Sequence, residues 1–318
     1  MLIGIDIGGT KCAVVLGRTD GESIEILQKQ RFDTPPNAPV AVLARLDSII
    51  ARYISEFEVF GIGISCGGPL DSKRGLILSP PNLPGWDNIE IVRYFHEKYQ
   101  IPVCLQNDAD ACAIAEWRFG AGKGTQNLIF LTFGTGLGAG LILNGTLYSG
   151  TNDMAGELGH WRMEKDGPIG YGKAGSFEGF CSGSGIAAQG RTRAEAGQCP
   201  KLMEAAGSLE NITAKLIGDL AERGNADCTQ IYADCGKALG KGLALLIDLL
   251  NPQVIVIGSI FTRSQTLLWP YAKEVIEQEA LALSLGVCEV KSAALGDSIG
   301  DYAALAVAGQ RRVCSQND

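Results

Sequence analysis

Two stretches decide the reading of this chain: LIGIDIGGTKCAVVLG at Leu2 to Gly17, and LIFLTFGTGLGAGLIL at Leu128 to Leu143. Each is an apolar, β-rich run, a tight turn of glycine and hydroxyl residues, then a second apolar run. Aligned without gaps, Asp6 falls on Thr132, Gly8 on Gly134 and Cys12 on Gly138. Gly-rich turns that open a helix hold phosphate with the helix N-terminus. Here both flanks read as strands, so turn amides and hydroxyls must do the gripping. The repeat predicts a duplicated unit whose two phosphate loops face one cleft.

The chemistry of the first turn supports that expectation. In Asp6-Ile7-Gly8-Gly9-Thr10-Lys11, two glycines let backbone N–H groups approach an anion with no Cβ in the way. Thr10 adds a hydroxyl donor. Asp6 would repel a bare phosphate, and its presence makes sense with Mg²⁺ between, reached through water. The alternative is a plain β-hairpin in which Gly-Gly is only turn chemistry. Repetition of the pattern as Thr132, Gly134, Thr135 and Gly136 favours phosphate.

The bulk of the chain agrees with a soluble nucleotide or small-molecule protein. Its 318 residues allow two domains, and 46% hydrophobic with 19% charged residues is globular composition. Net charge is −8 with no basic stripe, which argues against nucleic acid as a partner. The cysteines stand at 12, 66, 104, 112, 181, 199, 228, 235, 288 and 314 with no C-x-x-C spacing. Together with the lack of a signal peptide, this reads as reduced thiols in the cytoplasm. No apolar run is long enough for a membrane span.

Along the chain the patterning predicts a third strand over Glu22–Phe32, a helix over Pro39–Phe57, a buried strand over Val59–Ser65 and a Gly/Pro-rich loop over Cys66–Asp87. A helix (Ile89–Tyr99), a strand (Pro102–Gln106) and a helix (Asp108–Gly120) precede the second hairpin. An irregular segment, Ser149–Cys181, interrupts the second half. A long helix over Cys228–Leu250, strands over Gln253–Ile257 and Val287–Lys291, and a last helix over Ile299–Ala308 complete the pattern. His96 lies in a polar helical stretch and is expected to be solvated.

Strand–turn–strand phosphate loops in two related halves resemble the actin/hexokinase ATPase superfamily. Within it, the chain closely resembles the ROK family of sugar kinases and sugar-responsive repressors. The motifs that carry the resemblance are IGIDIGGTK (Ile3–Lys11), GIGIS with GGP and Asp71, PNLPGW (Pro81–Trp86), QNDADACAIAE (Gln106–Glu116), LTFGTGLGAGLILNG (Leu131–Gly145), AGELGH (Ala155–His160), SGSGI (Ser182–Ile186), NPQVIVIGS (Asn251–Ser259) and LGDSIGDYAALAVAG (Leu295–Gly309).

The resemblance implies an α/β, two-lobed actin-like ATPase (ribonuclease H-like) fold, with mixed sheets flanked by helices and ATP and sugar in the interlobe cleft. Residues 1–117 with about 300–318 would form the smaller lobe and 118–299 the larger. It implies Asp108 as general base for a sugar hydroxyl, which suits a poor nucleophile whose proton must leave as the bond to phosphorus forms. The residue's place between strand and helix also fits a simple N-cap. Substrate contacts would come from Gly68, Asn82, Asn107, Glu157, His160 and Glu178. Nucleotide contacts would come from the two turns with Gly258 and Ser259. Trp86 and Trp161 are expected to pack rather than stack on sugar.

One departure stands out. Many members carry three cysteines between the motif His and the second Glu, completing a zinc site. Here Ile169, Tyr171 and Ser176 occupy those positions, and one His cannot supply four ligands. The expectation is no zinc, with the loop held by packing of Ile169, Tyr171 and Phe177. The chain also opens at the first hairpin with no helix-turn-helix before it, which argues against a repressor. The expected function is an ATP- and Mg²⁺-dependent hexose kinase, cytoplasmic and by resemblance a homodimer, acting on glucose or an N-acetylhexosamine. The alternative is a catalytically silent sugar-binding or regulatory protein on the same scaffold.

Overall fold

The computed structural model describes residues 1–310. The chain falls into two compact units: Met1–Gln126 with Gly140–Ala155 and the C-terminal segment from Ala294, and Asn127–Ala139 with Gly156–Ala293. Residues 311–318, placed in the smaller lobe by the sequence reading, lie outside the described residues, as does Cys314.

The first unit begins with the meander β1 (Leu2–Ile7), β2 (Lys11–Thr19) and β3 (Ile24–Asp33), followed by helix α1 (Pro39–Glu56) and strand β4 (Gly61–Cys66). The segment expected as loop contains a short ribbon, β5 (Leu70–Asp71) and β6 (Leu76–Ile77). Helix α2 (Ile91–Tyr99), strand β7 (Val103–Asn107) and helix α3 (Asp108–Phe119) follow. The sheet runs β3-β2-β1-β4-β7, with antiparallel pairing through the meander and parallel pairing of β1 with β4 and β4 with β7.

Period-two alternation divides the β1 side chains between two faces. Ile3, Ile5 and Ile7 are buried in a core with Leu46, Ile50 and Tyr53 of α1, Phe95 of α2, and Trp86. The opposite face carries glycines so that a helix can lie directly on the sheet. A Cβ on Gly63 would stand 2.2 Å from both the Ala304 carbonyl oxygen and the Ala308 nitrogen, and one on Gly4 would stand 2.9 Å from the Leu305 nitrogen. The glycines of GIDIGG and GIGIS therefore serve packing as well as turns.

The second sheet is built from β8 (Leu128–Phe133), β9 (Leu137–Leu143) and the short β10 (Thr146–Leu147), later joined by two parallel strands. The stretch read as irregular holds a 3₁₀ turn at Leu158–His160, the ribbon β11 (Ile169–Gly170) and β12 (Lys173–Ala174), and the one-turn helix α4 (Phe177–Phe180). Helices α5 (Gly183–Glu195), α6 (Pro200–Ala206), α7 (Ala214–Glu222) and α8 (Ala226–Leu250) lead to β13 (Val254–Ile257), α9 (Ile260–Glu279), α10 (Ala282–Leu285) and β14 (Glu289–Ser292). The order is β10-β9-β8-β13-β14.

Asn225 caps the start of α8 by accepting from the Cys228 N–H, and Asn251, left-handed at φ 46°, ends it ahead of Pro252. Gly236 and Gly240 let α8 meet α9 closely: a Cβ at either would lie 2.6 Å from a carbonyl oxygen of α9. The last helix, α11 (Ile299–Ala308), is the one that covers the glycine face of the first sheet.

Candidate active site

In the first unit, β1 delivers Asp6 to the head of the hairpin and the turn closes with Gly8 N–H donating to the Lys11 carbonyl at 3.1 Å. Thr34 fastens the turn from the side, its hydroxyl donating to the Gly8 carbonyl at 2.7 Å and its N–H to the Thr10 carbonyl at 2.9 Å. Gly9 lies against the PNLPGW loop, since a Cβ there would be 2.4 Å from the Asn82 carbonyl oxygen. That contact is why this position is glycine.

Asn82, Gly68, Asn107 and Asp108 converge in the same unit. A Cβ on Gly67 would be 3.7 Å from Asn82 Nδ2 and 4.0 Å from Asp108 Oδ2, and one on Gly68 would be 3.1 Å from Asn107 Nδ2. Asn107, not Asp108, is the N-cap of α3: its Oδ1 accepts from the Ala109 N–H at 2.9 Å. Asp108 Oδ1 shares that N–H at 2.8 Å, and Oδ2 lies on the Gly67 side.

Electrostatics separate these carboxylates from ordinary surface ones. Crowding by protein raises Asp6 to about 6, with the charges of Asp108 and Asp301 adding to the rise, while Lys29 and Arg31 oppose it. Asp108 is also raised, chiefly by desolvation and against the pull of the Ala109 N–H, although its side chain still reaches solvent. Asp301, in the first turn of α11, is paired to Lys29 at 2.6 Å. A Cβ on Gly300 would stand 3.2 Å from Asp6 Oδ2. The sequence reading did not include Gly300 or Asp301 in the site, though both lie in a motif it quoted.

In the second unit, the turn of the second hairpin closes with Gly134 N–H donating to the Gly136 carbonyl at 3.1 Å. The Thr132 hydroxyl accepts from Gly138 N–H at 3.0 Å, so it ties the two strands of the hairpin together. Gly183 and Ser184, at the start of α5, donate to the carbonyls of Gly134 and Thr135 at 2.7 and 3.2 Å. Ser182 caps that helix. Ser259 Oγ is packed on Gly134, 3.7 Å from where its Cβ would be. Gly258 adds no contact of that kind; its N–H continues the sheet to Leu131 and its α-carbon faces Phe130.

Glu178 joins the same hairpin from α4, its Oε2 accepting from Leu137 N–H at 3.0 Å. Gly159, in the 3₁₀ turn that links Glu157 to His160, is wedged between the Leu137 carbonyl and Glu178 Cβ, with Cβ separations of 2.3 and 3.3 Å. Glu157 and Glu178 are thereby brought onto one edge of the hairpin. The His160 ring meets Tyr171 edge-on at 4.9 Å, and Lys173 donates to the His160 carbonyl at 2.6 Å.

The loop that lacks cysteines is held mostly by backbone pairing. Phe177 N–H donates to the Trp161 carbonyl, Met163 N–H to Gly175, and Gly175 N–H to Pro168. Of the three apolar residues expected to pack, only Phe177 is buried, its ring lying on Gly242 of α8, 2.2 Å from where a Cβ would be. Ile169, in the short strand β11, and Tyr171, in the turn that follows it, are 65% and 67% exposed. No group of three or more metal-binding side chains gathers among the described residues. Trp86 is buried; Trp161 is partly open and meets Phe177 edge-on. His96 is half-buried rather than solvated, one ring nitrogen bonded to the Ile101 carbonyl.

A cavity of about 820 Å³ opens at the second hairpin, bounded by Gly134, Thr135, Gly183, Ser184, Ser259 and Arg263, and by Ile212, Thr213, Ala214, Gly218 and Tyr232 further along. Most of these residues lie outside the motifs that sequence reading used. For the wall at Gly183 and Ser184 the available signal was SGSGI, a serine-capped helix start directly after the segment that carries Glu178.

The architecture, with mixed sheets flanked by helices and a glycine-turned hairpin in each half of the chain, is that of the actin-like ATPases. A model of the ROK family matches residues 2–311, and the chain belongs to that family. It is 30% identical over 312 residues to a glucokinase of Thermotoga maritima, covering 98% of both chains. A ROK glucokinase of Streptomyces griseus, solved with glucose and AMPPNP, is 30% identical and superimposes with a TM-score of 0.79 over 96% of this chain and 98% of that one. A xylose repressor of Caldicellulosiruptor bescii is 27% identical over 290 residues, 88% of this chain and 70% of the repressor. Relatives of this kind support sugar phosphorylation in general and include regulators.

Proposed function

We propose that this chain transfers the γ-phosphoryl group of ATP to a hydroxyl of a hexose, glucose first and an N-acetylhexosamine next. The observation that carries the reading is the setting of Asp108. It is a carboxylate at a strand–helix junction with Asn107, Gly67 and Asn82 around it, on a residue that is exposed overall while desolvation by the surrounding protein raises its pKa. A base so placed accepts the sugar proton as the hydroxyl oxygen bonds to phosphorus and the bond from phosphorus to the ADP oxygen breaks.

The other residues fall into supporting roles. In the turns Gly8–Lys11 and Gly134–Gly136, the N–H groups of Gly8 and Gly134 close the turn and those that follow grip phosphate oxygens, with Gly258 and Ser259 on the nucleotide side. The cavity at the second hairpin receives the nucleoside. Asn82, Gly68, Asn107, Glu157, His160 and Glu178 bind sugar hydroxyls, carboxylates being able to accept several such bonds. Asp6 fits Mg²⁺: it is a carboxylate whose ionisation is opposed by burial and then by the neighbouring charges of Asp108 and Asp301, and a cation relieves that opposition. When bound, the ion neutralises phosphate charge. The same proposal takes the protein to be a cytoplasmic homodimer that binds no nucleic acid and needs no zinc.

An ADP-release assay over glucose, mannose, N-acetylglucosamine and N-acetylmannosamine tests it. Turnover with one of them, and its loss in Asp108→Ala, is the expected result. Sugar binding without turnover on any of them would replace the kinase reading with the regulatory one that the xylose repressors exemplify.

A further inference from the structure

We propose that Arg263 is a ligand of the phosphate chain of the nucleotide, an inference that rests on reading the second unit's cavity as the ATP site. Strand β13 ends at Gly258 and the chain turns sharply through Ser259, which holds φ 58° and ψ −111°. A serine with positive φ there costs on the order of 1–3 kcal/mol. Its effect is to lay Ser259 Oγ on Gly134 and start α9 at the glycine loop.

One turn later, Arg263 Nη2 donates to that same Oγ at 3.3 Å. The guanidinium is therefore tethered beside the Gly134 turn, which lines the cavity. Helix α9 breaks immediately afterwards at Ser264, with φ −121° and ψ 28°. The turn from Ile260 to Arg263 is thus set off from the rest of the helix by that kink.

Two other cations, Arg191 and Lys215, line the same cavity. Arg191 donates to the Ile212 carbonyl at 3.1 Å, and Lys215 pairs with Asp219 at 2.6 Å. The carboxylates Glu210, Asp219 and Glu222 enter from α7 and the turn before it. Arg263 is the cation joined to the Gly134 end, where a phosphate needs more than neutral amides. A planar, permanently charged fork binds two phosphate oxygens at once.

The test measures calorimetric affinities of adenosine, AMP, ADP and AMPPNP for the full chain carrying Arg263, Arg263→Ala or Arg263→Lys, each checked for an unchanged melting temperature. In the wild type, affinity should rise as phosphates are added. In Arg263→Ala, ADP and AMPPNP should weaken by about 10- to 100-fold while adenosine changes less than about twofold, the size of a lost charged hydrogen bond. Arg263→Lys should recover part of that loss, and it also serves if the alanine variant does not fold. Equal weakening of adenosine and ADP would mean that the guanidinium acts on the base, and no weakening would mean that it does not reach the ligand; either overturns the proposal. Wild-type protein that binds none of the four would instead remove the ATP reading on which the proposal rests.

Discussion

Replacing Asp6 with asparagine should stabilise the ligand-free protein while abolishing phosphoryl transfer. Burial and the neighbouring carboxylates raise Asp6 from 3.8 to about 6. Each tenfold change in acidity is worth about 1.4 kcal/mol, so ionised Asp6 costs the folded state about 3 kcal/mol relative to an unfolded chain with an ordinary carboxylate. The sign follows from the direction. A raised pKa stabilises the fold below the unfolded value of 3.8, and that advantage is lost as pH rises through about 6. Asparagine is neutral throughout and close in shape. Wild type and Asp6→Asn should therefore differ little near pH 4, diverge between about 4 and 6, and hold a constant gap of up to about 3 kcal/mol above that. Urea unfolding without nucleotide or metal, followed by fluorescence of the buried Trp86 in the same unit, reads the difference. A variant that is less stable than wild type at neutral pH, or a gap that does not change with pH, would refute the reasoning.

Other outcomes follow from single contacts. Asp108→Ala should lower kcat by about 10²- to 10⁴-fold with the fold intact. In the wild type, the acid limb of the kcat/KM profile should have its midpoint above 3.8, because desolvation raises this base. Buried Glu116 accepts from the N–H groups of Ala121, Ala294 and Leu295 at 2.8, 3.2 and 2.9 Å. Glu116→Ala strands these donors and should cost about 3–6 kcal/mol in denaturation, Glu116→Gln clearly less. Gly63→Ala places a Cβ 2.2 Å from backbone of α11 and should prevent native packing of that helix, seen as lost cooperativity in thermal unfolding. Tyr171→Gly relieves a left-handed residue at φ 47° but removes the ring beside His160. The sugar KM should rise while the ATP KM stays unchanged, measured by varying each substrate in turn.

Much of the fold could be read locally. Alternating Ile and Gly in GIDIGG and GIGIS marks strands with one core face, and the apolar period over Cys228–Leu250 marks the long helix, found at Ala226–Leu250. The hidden part was the second use of those glycines. Gly4 and Gly63 make room for α11, which lies far along the chain, and period alone cannot tell a gap for a helix from a weak strand. Packing in the cysteine-free loop was misjudged for a similar reason. Apolar Ile169 and Tyr171 read as a substitute core, yet a two-residue strand and its turn leave both exposed, and only Phe177 is buried, on Gly242.

What the sequence by itself determined is the pair of hairpins, their glycine and hydroxyl turns, the Asn107-Asp108 junction and the family, since these depend on residues close in the chain. The tertiary structure alone decided which distant groups share a site. It set Asp301 near Asp6, Glu178 on the Leu137 amide, Ser184 on Thr135 and Arg263 beside the Gly134 turn. Such pairings follow from how sheets and helices stack. A charge's neighbours in space, which fix its pKa and its ligand, are set by that stacking and leave little trace in local spacing.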